Sequence, residues 1–107
     1  MQGLRFSRSA QRDLESIDAE TIERFGLGQA ERLRDSFLQT LQRLQRLPGS
    51  GRERPDLSPP DRLLRSVVVS SAFVVVYEDV SESVRVVRVL HAARDLPSEL
   101  RNDDGRE

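Results

Sequence analysis

Apolar side chains recur with helical spacing through the first half of the chain. A short alternating stretch at residues 4–6 predicts a strand, and Ser7 after it is a suitable helix N-cap. One helical face then carries the apolar residues Ala10, Leu14, Ile17, Ile22 and Phe25. A second and more regular face carries the apolar residues Ala30, Leu33, Phe37, Leu38, Leu41, Leu44 and Leu47. The short break at Gly26-Leu27-Gly28 between the two faces predicts an antiparallel helical hairpin.

The second half of the chain has the pattern of strands. Residues 48–61 hold four of the five prolines, which predicts a loop that ends the second helix. Residues 63–69, 73–80 and 84–90 are rich in valine and predict three strands, with turns short enough for antiparallel pairing. The expected fold is therefore α+β with the order β-α-α-β-β-β, in which the helical hairpin packs on a small antiparallel sheet.

The boundaries of this fold follow from the same pattern. We expect residues 1–97 to form a single domain and residues 98–107 to form a polar tail, which frays from residue 101 onward. The pattern does not specify a partner for the first strand, so the order of the strands in the sheet is left open.

Composition narrows the chemistry that this fold can carry. Of the 107 residues, 36% are hydrophobic and 33% are charged, and so thin a core suggests that a partner covers part of the apolar surface. The absence of cysteine and the single histidine argue against a disulfide framework and a zinc site. Neither a glycine-rich phosphate loop nor a nucleophile elbow is present. We therefore expect no metal, no cofactor and no catalytic residue.

Charge and hydropathy bear on location and partners. No apolar run resembles a signal peptide or could span a bilayer, so we expect a cytoplasmic protein without membrane contact. The net charge of −1 argues against general affinity for nucleic acid, and we expect no sequence-specific DNA binding. Arg43, Arg46 and Arg52 lie in a stretch that contains no acid between Asp35 and Glu53. This stretch predicts a basic patch, or else arginines that complement the dipole of the second helix.

Polar residues interrupt the predicted strands and are the candidates for function. They are Arg65, Tyr77, Arg85, Arg88, His91 and Arg94. Strict alternation puts Arg85, Val87 and Val89 on one face of the last strand, and Val84, Val86, Arg88 and Leu90 on the other. One of the two arginines must then be paired inside the fold or lie at a functional surface. Two interpretations stay open: Arg88 or Arg94 pairs with an acid such as Asp95 or Glu78, or they form a binding surface.

The segment Arg88-Val89-Leu90-His91-Ala92-Ala93-Arg94-Asp95 resembles the C-terminal signature of ParE toxins, Arg-Val-Leu-His-Gly-Ala-Arg-Asp. Three upstream segments also resemble that family. They are Ala10-Gln11-x-Asp13-Leu14, the loop from Leu47-Pro48 through Gly51-Arg52-x-Arg54-Pro55-Asp56-Leu57, and the strand start Leu64-Arg65-Ser66. The resemblance runs from residue 4 to residue 97. The chain departs from the family at Ala92, at Ala72-Phe73, where an Arg-Tyr pair is common, and at Glu78, where Arg is frequent.

The resemblance implies a toxin of a type II toxin–antitoxin pair, in the ParE/RelE superfamily. ParE-like members are described as binding poisons of DNA gyrase, which need no catalytic residues and are neutralised by a ParD-like antitoxin. The candidates for target binding are Arg65, Tyr77, Arg88, His91 and Arg94. The candidates for antitoxin contact, on the apolar surface, are Leu33, Phe37, Phe73 and Val75.

The alternative within the superfamily is a RelE-like endonuclease that cuts messenger RNA on the ribosome. Asp56 stands where some of these nucleases carry Glu, but Phe73 and Val74 stand where some carry His-Arg. Ala92 and Ala93 follow His91 where a C-terminal Tyr is expected, and the chain has no lysine. The set of base, acid and cation that such cleavage needs is therefore incomplete, which favours a binding poison over an enzyme. A pure interaction module is a third possibility.

Overall fold

Five strands and three helices make up residues 2–102, the part of the chain that the computed structural model describes. In chain order they are β1 (Gly3–Phe6), α1 (Arg8–Phe25), α2 (Leu27–Arg46), β2 (Arg52–Glu53), β3 (Arg65–Val69), β4 (Phe73–Val80), β5 (Ser83–His91) and α3 (Leu96–Asn102). The predicted order of one strand, two helices and three strands is confirmed, and β2 and α3 are additions to it. A 3-10 turn at Pro48–Ser50 follows α2. None of these helices is long and apolar enough to cross a membrane.

The strands form one mixed sheet in the order β1-β5-β4-β3-β2. β1 runs parallel to β5, from Gly3 opposite Ser83 to Phe6 opposite Val86, and the other neighbouring strands are antiparallel. The α+β fold with its helical hairpin on the sheet is confirmed, and the partner of the first strand, which the sequence leaves open, is β5 in parallel pairing. The helical hairpin separates β1 from the other strands, and a crossover of that length permits parallel pairing.

The helical hairpin forms as its sequence predicts. The Ser7 hydroxyl caps α1 by accepting the backbone N–H of Ala10 at 3.0 Å. Gly26 ends α1 with a φ of 88°, a left-handed conformation that favours glycine, and its N–H donates to the carbonyl of Ile22 at 2.9 Å. α2 then returns along α1.

The main core lies between the hairpin and the sheet. It is formed by apolar side chains of both helices and of four strands, including Ala10, Ile17, Leu33, Phe37, Leu41, Leu44, Val69, Val75, Tyr77, Val84 and Val86. The predicted helical faces are buried only in part, because apolar side chains both within the helices and at their ends remain exposed. Ile22, Phe25 and Leu38 are exposed, and so is Leu47 after α2. The apolar pattern of the helices therefore extends beyond the surface that the sheet can cover.

A second apolar cluster covers the opposite face of the sheet. It joins Leu57 and Leu64 of the loop before β3 to strand residues and to Leu96 and Leu100 of α3. The expectation of a polar tail from residue 98 needs correction, because residues 98–102 belong to α3. The two leucines lie four residues apart, so one face of this short helix can be buried although its composition is polar. Residues 103–107 of the predicted tail lie outside the described residues.

A β-bulge in β5 changes the predicted alternation. Val76 of β4 lies opposite Arg88 and the next residue, Tyr77, lies opposite Val86, so Val87 is an extra residue. Val86 and Val89 consequently both reach the core under the hairpin, whereas Val87 belongs to the second cluster. The strict alternation expected for residues 84–90 is therefore wrong beyond Val87.

Candidate functional site

Two elements share the outer edge of β5. Within the described chain, β1 pairs with β5 as far as Val86, and α1 packs beside the strand beyond that point. The hydroxyl of Ser7 donates to the carbonyl of Val87 at 2.7 Å. The carboxylate of Asp13 accepts the backbone N–H of Val89 at 2.9 Å. Asp13 of α1 and the N-cap residue Ser7 thus satisfy backbone groups that an open strand edge would leave without partners.

Arg88 is held by an ion pair that joins α1 to β5. Its Nε and Nη2 donate to the two carboxylate oxygens of Asp13 at 2.7 and 3.0 Å, and its Nη1 donates to the Glu99 carbonyl of α3 at 3.3 Å. The side chains of Arg88 and Asp13 are only 11% and 15% exposed. Arg88 is therefore paired inside the fold, with Asp13 and not with Asp95 or Glu78. The bidentate geometry fixes both side chains.

A groove of about 230 Å³ opens beside this ion pair, between α1 and the C-terminal half of β5. His91 lies in it with 40% of its side chain exposed; its Nε2 is 3.9 Å from Glu20 Oε1, and its ring packs on Phe73 at 4.9 Å between centroids. Arg94 also lines the groove and pairs with Glu99 at 3.2 Å. The structure thus brings Arg88, His91 and Arg94 to the lining of one groove.

The charge of this groove limits its chemistry. Its lining contains the acids Asp13, Glu20 and Glu99 and the bases Arg88 and Arg94, so the acids outnumber the arginines by three to two. Both arginines already contact a carboxylate. Such a groove suits hydrogen bonding to a protein surface better than it suits a nucleic-acid backbone, whose phosphates require unpaired cations.

Arg65 and Tyr77 lie away from this groove. Tyr77 is four residues from Phe73 along β4, which corresponds to about 13 Å at the rise of a β-strand. Its hydroxyl donates to the Pro48 carbonyl at 2.7 Å and accepts the Gly51 N–H at 2.9 Å, and burial raises its pKa. Arg65 donates to the Gly51 carbonyl at 3.1 Å. Because Tyr77 is fully buried, the expectation that it contacts a target is corrected: it fastens the loop after α2, and Arg65 helps it.

The candidates for antitoxin contact separate into two pairs. Leu33 and Phe37 are themselves only 9% and 7% exposed, but they line an apolar groove of about 360 Å³ between α1 and α2, where Leu38 is 52% exposed. Phe73 and Val75 face the inside of the main core and are 8% and 0% exposed. The expectation that these two residues form part of a contact surface is corrected, because strand residues on that face are covered by the hairpin.

Two acidic residues that bear on the choice between a ParE-like and a RelE-like protein, Glu78 and Asp56, each form ion pairs with arginine. Glu78 is 9% exposed and accepts from Arg62 at 2.8 Å and from Arg85 at 3.2 Å, so it replaces a frequent Arg inside an ion-pair cluster. Asp56 accepts two hydrogen bonds from Arg54, at 3.0 and 2.8 Å, and these bonds hold its pKa below the usual range. Asp56 lines a cavity that Leu100 of α3 also lines, and it is not among the residues that line the groove of His91.

Asp13 lines the groove although no local pattern in the sequence marks it as a site residue. It stands inside the segment Ala10-Gln11-x-Asp13-Leu14, so the resemblance contained a signal for it. Among residues 2–102, no group of three or more histidines and acids is arranged to hold a metal ion.

Comparison with known proteins identifies the family. The model of the ParE toxin of the type II toxin–antitoxin system parDE matches residues 4–96. A solved structure described as the chromosomal ParDE TA system from P. aeruginosa has a similar fold, with a TM-score of 0.70 and 20% sequence identity over 85% of this chain and 96% of the other. No curated protein sequence matches at a significant level. Because the family model covers most of its length, the chain belongs to the ParE toxin family of type II toxin–antitoxin systems.

Proposed function

We propose that this ParE-family toxin binds DNA gyrase through the groove between α1 and β5, stalls the enzyme in its cleaved state, and is neutralised by a ParD-like antitoxin in the cytoplasm. The observation that carries the proposal is the grouping of Arg88, His91 and Arg94 beside acids of α1 and α3. Of the three, His91 and Arg94 offer exposed donor groups, whereas Arg88 holds the strand in place. The toxin acts by occupying a protein surface and does no chemistry itself.

The charge of the groove supports a binding poison over an RNA-cutting enzyme. An endonuclease needs cations free to hold the scissile phosphate, together with a base and an acid. Here the two arginines are neutralised by Asp13 and Glu99, and Asp56 is bound to Arg54 with a lowered pKa. A protein target, by contrast, can exchange these contacts for hydrogen bonds of its own.

The apolar groove between the two helices is the proposed antitoxin site. Leu33, Phe37 and Leu38 line it, and Phe25 at the hairpin turn is 70% exposed. An amphipathic segment of the antitoxin fits a groove of this kind, because it covers apolar surface that the toxin alone leaves to water. The helical groove and the α1–β5 groove are neighbours, because Ile17 lines both of them. Neutralisation follows if the bound antitoxin also keeps gyrase away from the α1–β5 groove.

Purified gyrase tests the toxic activity directly. We expect added toxin to leave DNA covalently attached to gyrase, and we expect Arg94→Ala and His91→Ala to weaken this effect. Arg24→Ala is the matched control, because Arg24 is an exposed arginine at the end of α1 that does not line the groove. In cells, supercoiling and message integrity are measured side by side after induction. Cut messages with normal supercoiling would overturn the proposal in favour of a nuclease.

Binding assays test the antitoxin site. The antitoxin is expected to be encoded beside the toxin, and its affinity for Leu38→Ser should fall by about tenfold, since each 1.4 kcal/mol of lost burial corresponds to a factor of ten. Leu63→Ser is the control, because Leu63 is similarly exposed but lies in the loop before β3. Equal affinities for the two variants would place the antitoxin elsewhere on the surface.

A further inference from the structure

A third groove lies between α2 and the end of β3, apart from the two grooves described above. Its volume is about 630 Å³. One wall is the polar side of α2 from Ser36 to Arg46, and the other is formed by residues 68–70. The ten helical steps from Ser36 to Arg46, at 1.5 Å each, give the groove a length of about 15 Å, enough for four or five residues of extended chain.

The strand at the side of this groove has an open edge. Among the described residues, β2 pairs with β3 only at Ser66 and Arg65. The N–H of Arg54 donates to the Leu64 carbonyl at 2.9 Å, so the backbone groups of Leu64 point to the outer edge. The backbone groups of alternate residues point to the same edge of a strand, so the N–H and carbonyl of Val68 also point outward. The Val68 side chain is 59% exposed. An edge of this kind can accept a further strand.

The helix at the other side carries positive charge. Arg43 and Arg46 are both exposed, and within residues 2–102 neither forms an ion pair with an acid. No acid occurs in the sequence between Asp35 and Glu53 to offset them. Both arginines lie in the last turn of α2, where their positive charge interacts favourably with the helix dipole. Their guanidinium groups can still bind a carboxylate in this position.

We propose that this groove binds an acidic, extended segment of a partner protein, which adds beside β3 through the backbone of Val68 and places carboxylates against Arg43 and Arg46. Strand addition supplies affinity through the main chain, and alternate side chains of the segment supply specificity. A nucleic acid fits less well, since the groove has no aromatic side chain for base stacking and its edge offers peptide groups. The site goes beyond the proposed function, because the gyrase and antitoxin grooves contain none of these residues.

A synthetic peptide of alternating glutamate and valine is the probe for this site. We expect it to bind the toxin saturably and to slow amide hydrogen exchange at Val68, as followed by NMR. In the double variant Arg43→Glu, Arg46→Glu, the Kd should rise by about tenfold, because two attractions become repulsions. Arg24→Glu, which changes an exposed arginine of α1, should leave the Kd unchanged. Thermal melting confirms that the variants are folded.

Four results of the binding experiments would overturn the proposal. They are the absence of peptide binding, binding without protection of the Val68 amide, equal effects of the Arg24 and Arg43/Arg46 changes, and preferential binding of a single-stranded oligonucleotide. Self-association of the toxin that disappears in the double variant would also overturn it, since the occupant would then be a second copy of the chain.

Discussion

Tyr77 fastens the loop after α2 with one hydroxyl group. The hydroxyl bridges the Pro48 carbonyl and the Gly51 N–H, and the ring is completely buried in the main core. Burial disfavours the charged phenolate, and this effect outweighs the hydrogen bond from Gly51 and the charge of Arg65, which act in the opposite direction. The pKa of Tyr77 in the folded protein is therefore above its ordinary value of 10.0.

The first prediction concerns the stability of the protein at high pH. The chain has a single tyrosine and neither lysine nor cysteine, so Tyr77 is the one side chain expected to titrate there. Because its pKa is raised on folding, its contribution to stability is complete below the unfolded pKa of about 10 and is lost as pH rises through the folded pKa. Urea unfolding should show stability falling above this pH. Tyr77→Phe should remove the decline, and a decline that persists in this variant would assign it to another group.

The second prediction concerns the close approach of Gly51 to Tyr77. A Cβ at residue 51 would lie 2.7 Å from Cε1 and 2.9 Å from Cζ of the tyrosine ring, inside normal contact distance. Gly51→Ala should therefore destabilise the fold by about 1–3 kcal/mol through overpacking. Gly49→Ala is the matched control, because a Cβ there meets no atom within 4 Å. Denaturant unfolding of both variants checks the difference, and similar losses would mean that the loop can move away from the ring.

At the scale of elements, Asp13 connects three pieces of secondary structure. Its carboxylate binds the guanidinium of Arg88 and the N–H of Val89, and Arg88 in turn donates to the Glu99 carbonyl of α3. α1, β5 and α3 are thus joined where β1 no longer covers the edge of β5. This junction also forms the floor of the proposed gyrase site.

The third prediction tests this junction. Asp13→Ala removes the carboxylate that the nearly buried Arg88 guanidinium and the Val89 N–H share, and it should cost about 3 kcal/mol. Asp18→Ala removes the Asp18–Arg34 pair, whose side chains are 32% and 50% exposed, and should have little effect because water screens it. Chemical denaturation measures both changes in unfolding free energy. Comparable losses would show that the Arg88 pair is no stronger than a surface pair.

The sequence predicts those elements whose signal is local. α1, α2 and β3 to β5 each have a periodicity that can be seen within their own residues. β2 has only two residues and exists through its pairing with Ser66 and Arg65, and α3 is buried through two leucines that meet the far face of the sheet. The extra residue Val87 in β5 leaves no mark in the valine pattern. Tertiary contact decides these features, so the local pattern could not predict them.

The same distinction holds for the candidate site. His91 and Arg94 could be found from the C-terminal segment, because they lie within a few residues of one another. The partner of Arg88 could not, since Asp13 is 75 positions away in the chain and the sequence offered nearer acids such as Asp95. The burial of Phe73 and Val75 could not be predicted either, because strand alternation does not say which face of the sheet the hairpin covers.

At the scale of the whole molecule, the sheet separates two apolar layers that are covered differently. The layer under the hairpin is covered by both long helices, with side chains such as Leu44 at 0% exposure. The layer under α3 also contains fully buried strand residues such as Val76, but it is covered by one short helix, with Leu96 and Leu100 at 7% and 9%, and by the loop before β3. The loss of a side chain should therefore spread differently through the molecule in the two layers.

The last prediction compares one leucine from each layer. Leu44→Ala opens a cavity between α2 and the sheet and should cost about 3 kcal/mol, with the whole domain losing stability together. Leu100→Ala should cost less, because α3 can shift to refill the space, and its effect should be confined to α3. Native-state hydrogen exchange distinguishes the two cases: amides of β4 and β5 should exchange faster in the Leu44 variant, and amides of α3 alone in the Leu100 variant. Faster exchange throughout the sheet in the Leu100 variant would mean instead that α3 is part of the cooperative core.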